Sequence, residues 1–319
     1  MKKCLIIRLS SLGDVALSSV LIDPLLEAGY KPYLLTFEPY HSLFEDDWRL
    51  TVIPTDREEV LSPKFTKKLR EMNFELVLDI HANLRTFILK TFLRTKSITY
   101  RKQSLRRRLA VKFKRFRKPY SVVDRYLWVL KKLGIVKVNG TSRPRIIVSR
   151  ERIEKVREMI GFENFIAIAP GARYQNKRYP KFGEVANELS KLGFEILWVG
   201  DNKDKMLVPE GMGVNLCGEL SLPDLLAVLS LATAFIGNDS GPLHCARVVG
   251  TPAVQIYGAT HPTLGFALGP HEGRVLIRGL PCQPCDVHGK GRCRFGDLRC
   301  LEIPPEAVVK EILSIVRVK

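Results

Sequence analysis

Four short stretches of this chain carry side chains that could do chemistry, and each lies between an apolar run and a helix-like stretch or a turn. Ser10-Ser11-Leu12-Gly13-Asp14 puts a carboxylate at a helix start, where it can act as a base. Taken alone, Asp14 is equally an acidic first-turn residue favoured by the helix dipole. Gly13 permits a tight backbone path there. Pro170-Gly171-Ala172-Arg173 leads on to Lys177, and loop amides with a lysine charge can both reach phosphate oxygens; a solvated basic turn is the rival. The octet Gly237–His244, GNDSGPLH, is the most informative. Ser240 and Gly241 fall at a helix start whose unpaired N–H groups favour an anion. Pro242 suits the first turn, and His244 adds a donor. Packing accounts poorly for the whole octet. Tyr257–Pro262, YGATHP, is balanced between ligand contact and a plain turn.

These loops need elements that aim them at one edge. Cys4–Leu9 reads as a strand, 14–28 as a helix closed by Gly29, then 33–37 as a strand, 64–72 as a helix and 76–80 as a strand. The alternation restarts with strands at 165–169, 195–199, 234–237 and 253–257, and helices at 181–192, 221–231 and 304–316. Strands alternating with helices predict parallel sheets covered on both faces. A break near residue 150 and 319 residues in all predict two domains, 1–150 and 151–319, with the last helix free to pack back on the first. Ligands of such sheets bind at the carboxyl ends of strands, so a cleft between two domains is the expected site.

Composition bounds the partners. Lys and Arg number 51 against 33 Asp and Glu, a formal net charge of +18, which attracts nucleic acid, an acidic membrane surface or a phosphorylated substrate. Arg8 and Asp14 interrupt the first apolar run too early for an export signal. No uncharged apolar stretch reaches the length of a membrane helix. A cytoplasmic protein, peripheral on the inner membrane through charge, is expected.

In this order along the chain, SSLGD, PGA with its following lysine, GNDSGPLH and YGATHP resemble glycosyltransferase family nine, the ADP-heptose:lipopolysaccharide heptosyltransferases. The resemblance implies an α/β GT-B fold of two facing Rossmann-like domains, the first binding acceptor and the second donor. It implies transfer of heptose from ADP-heptose to the lipopolysaccharide inner core, with inversion and with no cofactor required. By that resemblance Asp14 is the catalytic base and Lys177 the lysine on the donor phosphate. Asp239, Ser240, Gly241 and His244 form the donor loop, and Gly171, Ala172 and Arg173 the second phosphate loop. Ser11 and Gly13 belong to the acceptor side, and Asp201 or Asp204 to the nucleotide ribose.

Two features stand apart. The basic run from Arg101 to Lys118 interleaves Phe113, Phe116 and Tyr120, a pattern that also suits nucleic acid. Its place in the first half favours the phosphorylated lipid A-core acceptor and the anionic membrane surface, through Arg106, Arg107 and Arg108, over any specific nucleic acid. Cys282, Cys285, Cys293 and Cys300 have one pair at knuckle spacing, so structural zinc, disulfides and free thiols all stand open. Other functions to weigh are a different GT-B transferase or epimerase with another nucleotide sugar, and a basic nucleic-acid-binding protein.

Overall fold

The computed structural model describes residues 1–114, 121–135 and 142–316; Phe116, Lys118 and Tyr120 of the basic run lie outside them. In chain order the elements are β1 (Lys2–Ile7), α1 (Leu12–Leu17), α2 (Ile22–Glu27), β2 (Tyr30–Phe37), α3 (Glu38–His41), β3 (Thr51–Thr55), α4 (Pro63–Glu71), β4 (Leu76–Asp79), α5 (Leu84–Leu93), β5 (Ser97–Thr99), α6 (Ser104–Phe113), α7 (Val122–Lys131) and α8 (Arg150–Ile160). They continue as β6 (Phe165–Ala169), α9 (Phe182–Lys191), β7 (Glu195–Trp198), β8 (Val214–Asn215), α10 (Leu222–Leu231), β9 (Ala234–Asn238), α11 (Gly241–Val249), β10 (Ala253–Tyr257), β11 (Gly273–Ile277) and α12 (Pro305–Ile315). Two compact units result: Met1–Lys102 with Val122–Ile147, and Gln103–Ser121 with Val148–Lys319.

The first unit holds a five-stranded sheet in the order β3-β2-β1-β4-β5, parallel throughout. The inner strands β1 and β4 are buried along nearly their whole length, as a sheet covered on both faces requires. Leu5, Ile7, Leu35 and Val77 meet Phe65 and Leu69 of α4 and Leu89 and Leu93 of α5 in one core. The second unit holds a six-stranded parallel sheet, β11-β10-β9-β6-β7-β8. Its core joins Ile166, Ile168, Trp198 and Ile236 to Val185 and Leu189 of α9 and Val308 and Ile312 of α12. The closing helix therefore buries its apolar stripe in the second sheet's core rather than on the first domain.

In each sheet the strand order reverses once, between β1 and β4 and between β6 and β9. Loops leaving the carboxyl ends of such a pair turn to opposite faces and open a crevice. Ile7 is level with Asp79, and Ala169 with Gly237. The SSLGD loop and the residues after Asp79 thus share one edge, and the Pro170 and Asp239 loops share the other.

The short strands β3, β5, β8 and β11 and the helix α5 were not anticipated. The grouping of α6 also differs from a simple break near residue 150. Its arginine and the lysine that follows contact second-half loops: the Arg107 guanidinium lies 5.1 Å from the centre of the Phe266 ring, and the Lys114 ammonium donates to the Pro284 carbonyl.

Candidate active site

In the first unit the site is built on α1. Ser11 holds the N-cap position in extended conformation, and Asp14 lies in the first turn. Gly13 is a buried residue inside this helix. Asp14 Oδ1 meets the Arg8 guanidinium at 2.7 Å and accepts from the Tyr126 hydroxyl at 3.0 Å. Ser11 donates to Oδ2 at 3.3 Å. Arg8 follows β1, is buried, and donates to the Ile80 carbonyl at 2.7 Å. Burial alone would weaken the charge on Arg8. The facing Asp14 carboxylate outweighs it, with the Tyr126 and Tyr100 phenols, and holds the guanidinium above its ordinary pKa. Burial pushes the Tyr126 phenol well above its usual value, against the pull of Arg8, so it stays a proton donor to Asp14.

His81 follows β4 on the same edge. Burial first, then Arg8 and Lys102, lower its pKa to about 4, with Asp79 and Asp14 opposing. Its backbone N–H and that of Ala82 both donate to Asp79, whose other oxygen takes the Thr86 hydroxyl at 3.0 Å and the Lys90 ammonium at 3.0 Å. The β4–α5 turn is thereby fixed.

In the second unit Lys177 and Asp239 form an ion pair at 2.9 Å, with side chains 15% and 10% exposed. Thr260 donates to Asp239 Oδ2 at 2.8 Å, and Gln255 approaches Oδ1 at 3.3 Å. Burial acts to raise the Asp239 pKa. The Lys177 ammonium outweighs it, helped by His244 and Thr260, and the carboxyl stays below its ordinary range. Asn238 ties the two phosphate-type loops together: its amide donates to the Pro170 and Gly171 carbonyls at 2.9 and 3.1 Å, and its carbonyl accepts from Tyr179 N–H at 2.9 Å. Ser240 is the N-cap residue of α11, with Gly241 and Pro242 opening the helix. The Ser240 hydroxyl is buried without a hydrogen-bond partner. His244 is buried on α11, tilted against Phe266 with ring centres 5.8 Å apart.

Gly171 is required for a different reason than loose amides. A Cβ there would stand 2.1 Å from the Asp204 carboxylate oxygens. Asp204 itself caps a short turn, accepting from Asp201 N–H at 3.1 Å, and burial raises its pKa. Its carboxylate packs directly against the Gly171 backbone of the loop. Ala172 is buried, and Arg173 is exposed over the Tyr174 ring.

A model of "Glycosyltransferase family 9 (heptosyltransferase)" matches residues 63–292, well over half of the chain. The chain belongs to glycosyltransferase family 9. Over 154 residues it is 34% identical to lipopolysaccharide heptosyltransferase 3 of Escherichia coli, an alignment spanning 44% of this chain and 45% of that relative. A longer alignment, 23% identical over 87% of this chain and 90% of the relative, is to lipopolysaccharide heptosyltransferase 1 of Campylobacter coli. The fold is that of the solved GT-B heptosyltransferases. The family 9 glycosyltransferase of Veillonella parvula superposes with a TM-score of 0.80 at 20% identity, covering 99% of this chain and 97% of that one. The E. coli ADP-heptose lipopolysaccharide heptosyltransferase II superposes at 0.76 with 19% identity, covering 99% and 98%.

Within this family 9 chain, the structure brings together Asp14 with Ser11, and Lys177 with Asp239 beside Gly241 and His244. It separates Arg106, Arg107 and Arg108 from the Asp14 unit. They ride on α6, which clusters with the second unit, and the Arg107 guanidinium lies over the Phe266 ring that His244 also faces. Cys282, Cys285, Cys293 and Cys300 are free thiols. Among the described residues no three His, Cys, Asp or Glu stand close enough together to hold a metal ion. Burial, reinforced by the other three thiols, pushes Cys300 to about 11. Their segment braces the loops after β6 and β10: Cys285 N–H donates to Ala259 at 2.8 Å, the buried Gln283 amide to Gly258 at 2.6 Å, and Gly289 leaves room for the Lys177 stem. No helix among the described residues is long and apolar enough to cross a membrane.

Arg8, Tyr126, Asn238, Gln255, Thr260 and His81 were not singled out as site residues. Two carried a signal: Arg8 is a charge breaking an apolar strand, and Thr260 sits in the YGATHP loop.

Proposed function

We propose that the protein is an inverting heptosyltransferase that moves heptose from ADP-heptose to the phosphorylated inner core of a lipid A-linked acceptor. Two observations carry this reading: a held carboxylate at the switch point of the first sheet and, separately, a lysine-bearing loop and helix start at that of the second, in a family 9 chain. Asp14 takes the proton from the acceptor hydroxyl as that oxygen attacks the anomeric carbon. Arg8 and Tyr126 fix Oδ1, so Oδ2 is the oxygen we assign the proton. ADP leaves from the opposite face, and one displacement inverts the carbon. Lys177, the buried Ser240 hydroxyl and the first amides of α11 meet the growing diphosphate charge. Solved relatives carry ADP and an ADP-fluoroheptose, and these are the ligands we assign to the second unit. The net charge of +18 supports the reading that the enzyme meets its lipid-linked acceptor at an anionic membrane surface.

The test is transfer from ADP-heptose to a lipid A-linked acceptor with EDTA present, using wild type and Asp14→Asn. The variant should fold, bind ADP as wild type does by calorimetry, and lose about 10³-fold in turnover. Near-normal turnover removes Asp14 as the base. Absence of ADP binding to the wild type removes the donor-site assignment.

A further inference from the structure

Helix α5 is apolar on two sides. Its inner side buries Thr86, Leu89 and Leu93 in the first unit. At 100° per residue, Leu84, Phe87, Ile88 and Thr91 fall on the opposite side, with Phe92 at its margin. Leu84, Phe87 and Phe92 are 74%, 60% and 52% exposed. Leu84 and Phe87 on the outward side, with Phe92 at its margin, are three large exposed apolar side chains on one short helix and mark an interaction surface. The helix is firmly built, with Asn83 and Thr86 forming a reciprocal cap at its start.

Charge says what covers this face. Between Asp79 and Asp124 the sequence has fourteen Lys and Arg and no Asp or Glu. Arg85 lies beside the apolar stripe, and Arg94, Lys96 and Arg101 are exposed just beyond the helix end. An apolar face on a helix whose own stretch of chain carries only cations fits the boundary between anionic headgroups and acyl chains. A protein partner would need an acidic, apolar groove to match the same pattern. The helix also begins one short turn after β4, at the strand edge that carries Asp14. A bilayer met by α5 would present its headgroups on that side of the first unit.

We infer that the outward face of α5, through Leu84, Phe87 and Phe92, inserts into an anionic lipid surface and holds the first unit where a lipid-linked acceptor is anchored. The inference rests on the proposed acceptor for its purpose, but the face itself is tested without it.

The experiment compares wild type with Phe87→Ser combined with Phe92→Ser, which leave the buried side of α5 untouched. Cosedimentation uses vesicles of phosphatidylglycerol with phosphatidylcholine, and of phosphatidylcholine alone. Wild type should bind the anionic vesicles more tightly, and the variant at least about tenfold more weakly. Transfer onto an acceptor stripped of acyl chains should be equal for both. Wild type that ignores both vesicles, or a variant that binds as wild type does, overturns the inference. So does a wild-type dimer in sedimentation that the variant dissolves, because a second copy would then cover the face. Vesicle binding without transfer by the wild type would instead remove the proposed function and leave the lipid surface standing.

Discussion

Breaking the Lys177–Asp239 pair from each side should show how the donor loops are held. The two groups are 2.9 Å apart and nearly buried, and Asp239 keeps its charge against burial chiefly because of Lys177. Lys177→Met leaves a buried carboxylate with a hydroxyl and an amide as donors. Removing one partner of a buried pair costs about 3–5 kcal/mol, and these remaining donors place this case near about 3 kcal/mol. Asp239→Asn should cost less, since the lysine ammonium can turn toward water. The double variant removes the unpaired charge, so a coupling of about 2 kcal/mol should separate it from the sum of the singles. Urea unfolding read from the buried Trp198, with Trp48 and Trp128 replaced by Phe, reports on the second unit. pH supplies a sign test. In wild type the folded carboxyl titrates below its unfolded value, so its stabilisation is full above that value and lost as pH falls. In Lys177→Met burial loses its main opponent and only His244 and Thr260 still counter it, so the folded pKa rises and the penalty shrinks as pH falls. ADP affinity of that variant should drop at least about tenfold, or about 1.4 kcal/mol. Single effects that add within about 0.5 kcal/mol, or matching pH slopes, would refute the reasoning.

Gly171→Ala should destabilise the second unit by about 1–3 kcal/mol, because the new Cβ lands 2.1 Å from Asp204 oxygens. Asp204→Ala in the same chain should recover most of that loss in urea midpoint; no recovery would mean the clash lies elsewhere. His81 should make the first unit less stable toward acid. Its folded pKa of about 4 lies below the unfolded value, so the unfolded chain binds the extra proton between about pH 6.5 and 4, at up to about 3 kcal/mol. His81→Gln should flatten the stability profile in that window, and an unchanged slope would assign the acid sensitivity to other groups.

Much of the architecture was legible because it is local. Apolar runs of four to six residues mark β1, β4, β6, β9 and β10, and a loop must follow each. The short strands β5 and β8 carry too few residues for a periodicity to register. Helix α5 escaped notice because apolar residues surround it, so no single stripe stands out.

The sequence by itself determined that two strand-helix series exist, that acidic, lysine and Gly-Pro loops sit at strand ends, and that Ser240 and Gly-Pro open α11. Neighbouring residues settle these through backbone preference and helix polarity. Only the tertiary structure decided which groups meet. Tyr126 reaches Asp14 across 112 residues, and Asn238 reaches Pro170 across 68. Arg107 leaves the half of the chain in which it is written and stacks on Phe266. Such contacts arise when two sheets reverse their strand order and place distant loops at one edge. Spacing along the chain carries no record of that proximity.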